Sequence, residues 1–63
     1  MTKEATTLIS IMVNRLSSST HLYRETVEGC YDLYVDHSDV EKPEESKDFI
    51  IDIVLDVLNY STI

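Results

Sequence analysis

The fold of this chain is decided by the stretch PEESKDFIIDIVLDVLNY, residues 43–60. Its apolar residues would cover about 240° of a helical wheel, and its acids recur every three or four residues in the remaining sector. β-Branched residues are frequent, but the length of the stretch and the spacing of its acids predict a helix from Pro43 to about Tyr60. Pro43 suits the first turn of that helix, and Glu44 and Glu45 suit the positive end of its dipole.

Two further helices are predicted upstream. The first covers about 3–17, and its apolar stripe comprises Ala5, Leu8, Ile9, Met12, Val13 and Leu16. The polar segment SSST at 17–20 predicts a turn, in which Ser19 or Thr20 would cap a second helix over about 20–36. With one glycine and one proline, the chain has little of the turn chemistry that a multi-stranded β fold requires.

The second helix competes with a strand. One helical face would hold Tyr23, Val27, Cys30, Tyr31, Leu33 and Tyr34. The opposite face would hold Glu25, Glu28, Asp32 and Asp36. Gly29 disfavours a helix by about 1 kcal/mol relative to alanine, and CYDLYVD at 30–36 alternates well enough for a strand. A helix is favoured, and a strand stays open for residues 29–36.

These elements predict an all-α fold, a helical hairpin plus a C-terminal helix in a single domain of residues 1–63. A domain of this size buries only about 60% of its unfolded surface, so the first two helices are not expected to cover the apolar third one. We therefore predict a homodimer that packs through the third helix. Its contacts would be Ile50, Val54, Leu55 and Leu58. The alternative is a monomeric three-helix bundle with some exposed aliphatic residues.

Charge is distributed unevenly along the chain. Twelve acids against five bases give a formal net charge of −7. Residues 1–24 carry a net +2, and residues 25–63 carry a net −9. Such a balance argues against direct binding to nucleic acid or to an anionic membrane, because both are polyanions, and it favours a basic partner.

The predicted compartment is the cytoplasm. A single cysteine, Cys30, excludes an internal disulfide and fits a reducing environment. The N-terminus MTKEATTLIS lacks the basic region and continuous apolar run of a signal peptide, and no apolar stretch has membrane-spanning length.

Catalytic and metal-binding patterns are weak in this sequence. Cys30 and His37 on one helix would lie about 10.5 Å apart along its axis, beyond hydrogen-bond reach, and both His21 and His37 are expected to be solvated or turn residues. One cysteine and two scattered histidines do not supply a zinc site. DHSDVE at 36–41 lacks the glycine and final glutamate of a calcium-binding EF-hand loop. We therefore predict no enzymatic activity, no metal and no cofactor.

Two rows of acids share one spacing, acid-x-x-acid-x3-acid-x3-acid. The rows comprise Glu25, Glu28, Asp32 and Asp36, and then Glu45, Asp48, Asp52 and Asp56. Neighbouring acids at this spacing repel by about 0.2–0.5 kcal/mol per pair, which suggests selection for a negative surface. The simpler interpretation is a solvated face that keeps the protein soluble.

Carboxylates four residues apart on a helix are about 6 Å apart along its axis, so a row of them can imitate a row of phosphates. We hypothesise a non-enzymatic inhibitor or regulator, a DNA mimic whose acid rows occupy the basic surface of a nucleic-acid-binding protein. Small size without catalytic residues would suit a phage-encoded protein. One alternative is a small dimeric helical adaptor that binds a partner helix through the apolar surface of its C-terminal helix. Another is an antitoxin-like component that folds only with its partner.

Overall fold

The computed structural model describes residues 1–19 and 23–61 of the chain. The described part contains three helices and no strand: α1 (Lys3–Leu16), α2 (Arg24–His37) and α3 (Lys47–Ser61). Each helix packs against the other two. The all-α prediction is confirmed, and residues 29–36 form a helix rather than a strand. The strand alternative is wrong. Packing of the segment's apolar side chains against α1 and α3, which a helix allows, outweighs the alternation of apolar and polar residues.

Side-chain hydroxyl groups cap the N-termini of two helices. Thr2 precedes α1, and its Oγ1 accepts a hydrogen bond from the backbone N–H of Ala5 at 3.2 Å. Ser46 precedes α3, and its Oγ accepts one from the N–H of Phe49 at 3.2 Å. Both bonds satisfy amides that have no partner within the helix, which is why serine and threonine favour this position.

The start of α3 differs from the sequence prediction. A start at Pro43 is predicted, but the helix begins at Lys47, after the cap formed by Ser46. Pro43 is buried in the connection before it. Glu44 and Glu45 therefore lie outside α3, and Asp48 is the acid in its first turn. Proline at position one of a helix is common, but here a serine that can bond to a free amide sets the boundary instead.

The start of α2 is also later than predicted. The helix begins at Arg24 instead of Thr20, so Ser19 is separated from it and cannot be its cap. Thr20 and His21 lie outside the described residues. Ser19 instead bonds to the last residue of α1: its backbone N–H donates a hydrogen bond to the carbonyl of Leu16 at 3.0 Å.

The core is formed by all three helices. Its buried members are Ala5, Leu8, Ile9, Met12, Leu16, Val27, Cys30, Tyr31, Ile50, Ile51, Val54 and Leu58. The predicted stripe of α1 is confirmed, with Val13 partly buried at its edge. On α2, Tyr23 and Leu33 were assigned to the apolar face wrongly, because they are 66% and 43% exposed. Tyr23 precedes the first residue of α2, so it is not part of the helical face, and Leu33 is a helical residue outside the core.

Most of the residues that the sequence analysis assigns to a dimer interface are buried in the core of the single chain. Ile50, Val54 and Leu58 are buried between α3 and the other helices of the same chain, and Leu55 is partly buried against them. The premise that α1 and α2 cannot cover α3 is therefore wrong for these positions. The homodimer itself stays a prediction.

Gly29 lies in the interior of α2, and its replacement by alanine is expected to stabilise the protein. A Cβ built at this position meets no atom within 4 Å, and the backbone there has no positive φ. Alanine therefore adds helix propensity without a clash, and the free energy of unfolding should rise by about 0.5–1 kcal/mol. Urea denaturation of Gly29→Ala beside wild type measures the change.

Gly29→Pro provides the opposite control. Proline in a helix interior removes a hydrogen bond and is expected to lower the free energy of unfolding by about 3 kcal/mol. Equal denaturation midpoints for wild type and both variants would contradict the helical assignment of residue 29.

Candidate protein-interaction surface

The acid rows of α2 and α3 face the solvent on either side of the groove between the two helices. We call this surface the acidic face. It comprises Glu25, Glu28, Asp32 and Asp36 of α2 and Asp48, Asp52 and Asp56 of α3. Cross-helix ion pairs join the two rows, because Arg24 of α2 contacts two acids of α3 and Lys47 of α3 contacts one acid of α2. The rows predicted separately from the sequence therefore form one surface.

Arg24 lies among three carboxylates from two helices. Its Nη1 is 2.6 Å from Asp52 Oδ1, its Nη2 is 3.2 Å from Asp48 Oδ1, and its Nε is 3.5 Å from Glu28 Oε1. The hydrogen bonds to Asp52 and then Asp48 raise the pKa of the guanidinium. Because all five guanidinium donors lie in one plane, a single arginine can join carboxylates that approach it from different helices.

Lys47 forms the second bridge. Its Nζ donates to Asp32 Oδ1 at 2.9 Å and lies 5.6 Å from the centroid of the Tyr31 ring. The hydrogen bond to Asp32 raises the pKa of the ammonium, while burial raises the pKa of the Tyr31 hydroxyl. Lys47 therefore joins the first turn of α3 to the middle of α2 by an ion pair and a cation–π contact.

These bridges correct the energetic argument made from the sequence. The sequence argument counted repulsion between neighbouring carboxylates in each row without any nearby cation. In the structure, Glu28, Asp32, Asp48 and Asp52 each contact a cation. Seven carboxylates against Arg24 and Lys47 still leave the acidic face with a formal net charge of −5. Among the described residues, none forms an ion pair with the remaining three acids, which are Glu25, Asp36 and Asp56.

Glu45 does not lie in the α3 row. It precedes the helix, and its carboxylate accepts hydrogen bonds from the backbone N–H of Thr2 at 2.6 Å and from the Thr2 hydroxyl at 2.7 Å. The same Thr2 hydroxyl oxygen accepts the bond that caps α1. Glu45 thus joins the start of α1 to the segment before α3, a structural role, because the late start of α3 turns it away from the row.

The Glu45 bonds are expected to make stability depend on pH. The N–H and hydroxyl of Thr2 hold the pKa of this carboxyl below its ordinary value of 4.5. A carboxyl whose pKa is lowered by folding stabilises the fold above its unfolded pKa, and the contribution disappears as pH falls through the folded pKa. We expect Glu45→Gln to be less stable than wild type near pH 7, with the difference shrinking below pH 4.5.

Thermal unfolding followed by circular dichroism between neutral and acidic pH measures this effect. Glu44→Gln is the matched control, since it removes the same charge from the neighbouring exposed residue and should leave the difference from wild type constant with pH. A Glu45→Gln profile that runs parallel to wild type would show that the charge of Glu45 adds nothing to the stability that its bonds to Thr2 provide.

The sequence candidates for catalysis are not brought together. Cys30 is buried in the core, and its burial raises the pKa of the thiol, whereas His37 is exposed at the end of α2. His21 lies outside the described residues. Within residues 1–19 and 23–61, no group of three or more His, Cys, Asp or Glu side chains is arranged to hold a metal ion.

The residues missed by the sequence analysis are the cations of the acidic face. The Arg24–Glu28 pair has the i,i+4 spacing of a helical ion pair and was detectable in the sequence. The contacts of Arg24 with Asp48 and Asp52 and of Lys47 with Asp32 join residues that are distant in the chain. No local pattern specifies them, because they depend on how α2 packs against α3.

Comparison with protein-family models, curated protein sequences and solved structures finds no match to this chain. No helix in the described ranges combines the length and apolarity needed to cross a membrane. A functional proposal therefore rests on the residues of the chain itself.

Proposed function

We propose that this chain is a non-enzymatic cytoplasmic protein that inhibits or regulates a nucleic-acid-binding protein. Its carboxylate rows would imitate phosphates and occupy the basic surface of that target. The observation that carries the proposal is the arrangement around Arg24, where carboxylates of two helices contact one guanidinium at 2.6, 3.2 and 3.5 Å. A surface that holds its own arginine in this way has carboxylates placed to bind an arginine of a partner.

Exposure supports the same proposal. The Asp48 and Asp52 side chains remain 81% and 65% exposed despite their contacts with Arg24, so each has oxygens that a partner can reach. Three other acids, Glu25, Asp36 and Asp56, are exposed. Successive acids on one helix are about 6 Å apart along the axis, a separation comparable to that of neighbouring phosphates on a strand.

Affinity capture tests the proposal with a variant in which the three acids that form no ion pair are neutralised. Glu25→Gln/Asp36→Asn/Asp56→Asn leaves the Arg24 and Lys47 bridges in place, so the fold should be retained. Wild type is expected to capture nucleic-acid-binding proteins that added duplex DNA releases and that high salt weakens, because the contacts are ionic. The variant should lose them.

A control variant carries the same change of charge elsewhere. Asp39→Asn/Glu41→Gln/Glu44→Gln removes three exposed acids from the connection before α3, where Asp39 and Glu41 line one depression with Lys3 of α1. This control should capture the same proteins as wild type. If both variants behave alike, the acidic face is not the binding surface and the proposal fails.

A second candidate is a helical adaptor, which would be a homodimer or bind a partner helix through α3. The observation that favours it is the apolar surface still exposed on α3, where Phe49, Val57 and Tyr60 are 45%, 41% and 83% exposed. Binding through this surface would be nearly independent of salt, which separates it from charge mimicry. Light scattering that gives about 7.2 kDa at micromolar concentration would exclude the homodimer.

A further inference from the structure

An apolar stripe follows the outer side of α3. Its members, which we call the α3 stripe, are Phe49, Ile53, Val57 and Tyr60. They are spaced by four, four and three residues, so they lie on one side of the helix within about 80° of a helical wheel. Phe49, Val57 and Tyr60 are exposed, whereas Ile53 is partly buried against the core. The core face of α3 carries Ile50, Ile51, Val54 and Leu58. It extends over about 16 Å, or three turns.

One border of the stripe continues onto α1. Val57 lines a shallow depression together with Ile9, Val13 and polar residues of the last turns of α1. Val13 is itself only partly buried. The apolar surface is therefore wider than one helix and has a concave edge, the shape into which the ridge of another helix can pack.

The other border is acidic. Asp52 follows Phe49 by three residues and Asp56 follows Ile53 by three, so each acid lies beside a stripe residue. The Asp52 side chain is 65% exposed. Asp56 is exposed and forms no ion pair with another described residue. An apolar strip with an acidic edge is complementary to a helix that has an apolar strip and a basic edge.

We infer that the α3 stripe and its acidic edge dock a basic amphipathic helix of the target. This inference rests on the proposed function and specifies which element of the target is bound. Apolar side chains at helical spacing on the partner would cover Phe49 and Val57, and its lysines or arginines would contact Asp52 and Asp56. A partner bound in this way is held by burial of apolar surface as well as by charge.

A second copy of the chain fits this surface less well. The exposed parts of Phe49 and Tyr60 amount to roughly 250–300 Å², whereas a stable interface buries about 800 Å² per partner. Packing stripe against stripe would also bring the acidic edges of two chains together, each chain carrying a net charge of −7. A basic helix removes both obstacles, because it is small and its charge is opposite.

A synthetic helix tests the inference. The probe is a labelled peptide of about 18 leucine and lysine residues with its leucines on one helical face, long enough to span the stripe at roughly 1.5 Å per residue. A scrambled peptide of the same composition has the same charge without the apolar face. Fluorescence anisotropy at low and high salt measures binding to wild type, and circular dichroism checks that each variant is folded.

Matched variants locate the site. Phe49→Gln removes an aromatic side chain that is 45% exposed, and Leu33→Gln removes an aliphatic one on α2 that is 43% exposed. Phe49→Gln is expected to weaken binding roughly fivefold or more, from lost apolar burial, and Leu33→Gln should leave it unchanged. Asp56→Asn should weaken binding at low salt more than at high salt.

Each contrary outcome has a distinct meaning. If the scrambled peptide binds as tightly as the amphipathic one and Phe49→Gln has no effect, the docking inference is overturned while the charge-based function stands. If the amphipathic peptide binds independently of salt and of Asp56→Asn, the acidic edge takes no part in docking, and the inference is overturned in favour of the salt-independent adaptor. If wild type is a dimer in ultracentrifugation and Phe49→Gln makes it monomeric, a second copy covers the stripe and the inference is overturned.

Discussion

Replacing Ile50 with alanine is expected to lower the free energy of unfolding by about 2–5 kcal/mol. Ile50 is fully buried between α3 and the rest of the chain, so the substitution removes apolar contacts and leaves a cavity in the core. A domain of this length has a total stability of about 3–9 kcal/mol, and the variant should therefore be partly or wholly unfolded at physiological temperature. Loss of the helical circular dichroism signal measures the effect.

The same experiment separates two roles for Ile50. If its burial is within one chain, the loss of stability should not depend on protein concentration. If Ile50 instead packs against a second copy, raising the concentration should restore the fold by mass action. Leu33→Ala is the control, because Leu33 is 43% exposed and its truncation should change stability much less. Equal losses in both variants would contradict the described core.

Replacing Arg24 with glutamine is the second substitution with a large expected effect. It leaves Glu28, Asp48 and Asp52 without the cation that joins them, so the three carboxylates repel one another across the groove between α2 and α3. The urea midpoint should fall at low salt and recover towards wild type at high salt, because ions screen repulsion between exposed charges. The variant should also bind a basic peptide more tightly, since three carboxylates become available.

Arg15→Gln is the control for this change. It removes one exposed cation from α1 and gives the chain the same net charge, but Arg15 is not part of the acidic face. Its midpoint should differ little from wild type at either salt concentration. An identical salt response in both variants would mean that net charge, and not the cross-helix contacts of Arg24, governs stability.

Local signals account for the parts of the fold that the sequence predicts correctly. The apolar stripe of α1 at helical spacing is buried as expected. Both later helices also exist, but their first residues were misplaced. Pro43 favoured an early start for α3, whereas Ser46 provides the hydrogen bond that begins it. Helix ends depend on single capping contacts, and several candidate caps lay close together in the chain.

The candidate site is only partly predictable for a different reason. The acids of α2 and α3 are evident from their spacing, yet the cations among them are not. Arg24 and Lys47 are ordinary charged residues in the sequence, and only the packing of α2 on α3 places them between the two rows. Glu45 has the right spacing for the row, but its carboxylate accepts hydrogen bonds from Thr2 near the N-terminus.

The sequence by itself determined the helical class, the negative charge and the spacing of the acids, since periodicity and composition are local properties. Tertiary structure decided which apolar residues of α3 are covered and which carboxylates are paired. Ile50, Val54 and Leu58 are buried within the chain, and Phe49, Val57 and Tyr60 are left outside. A helical wheel assigns both sets to one broad apolar surface, because it shows direction around an axis and not the neighbours that occupy each side.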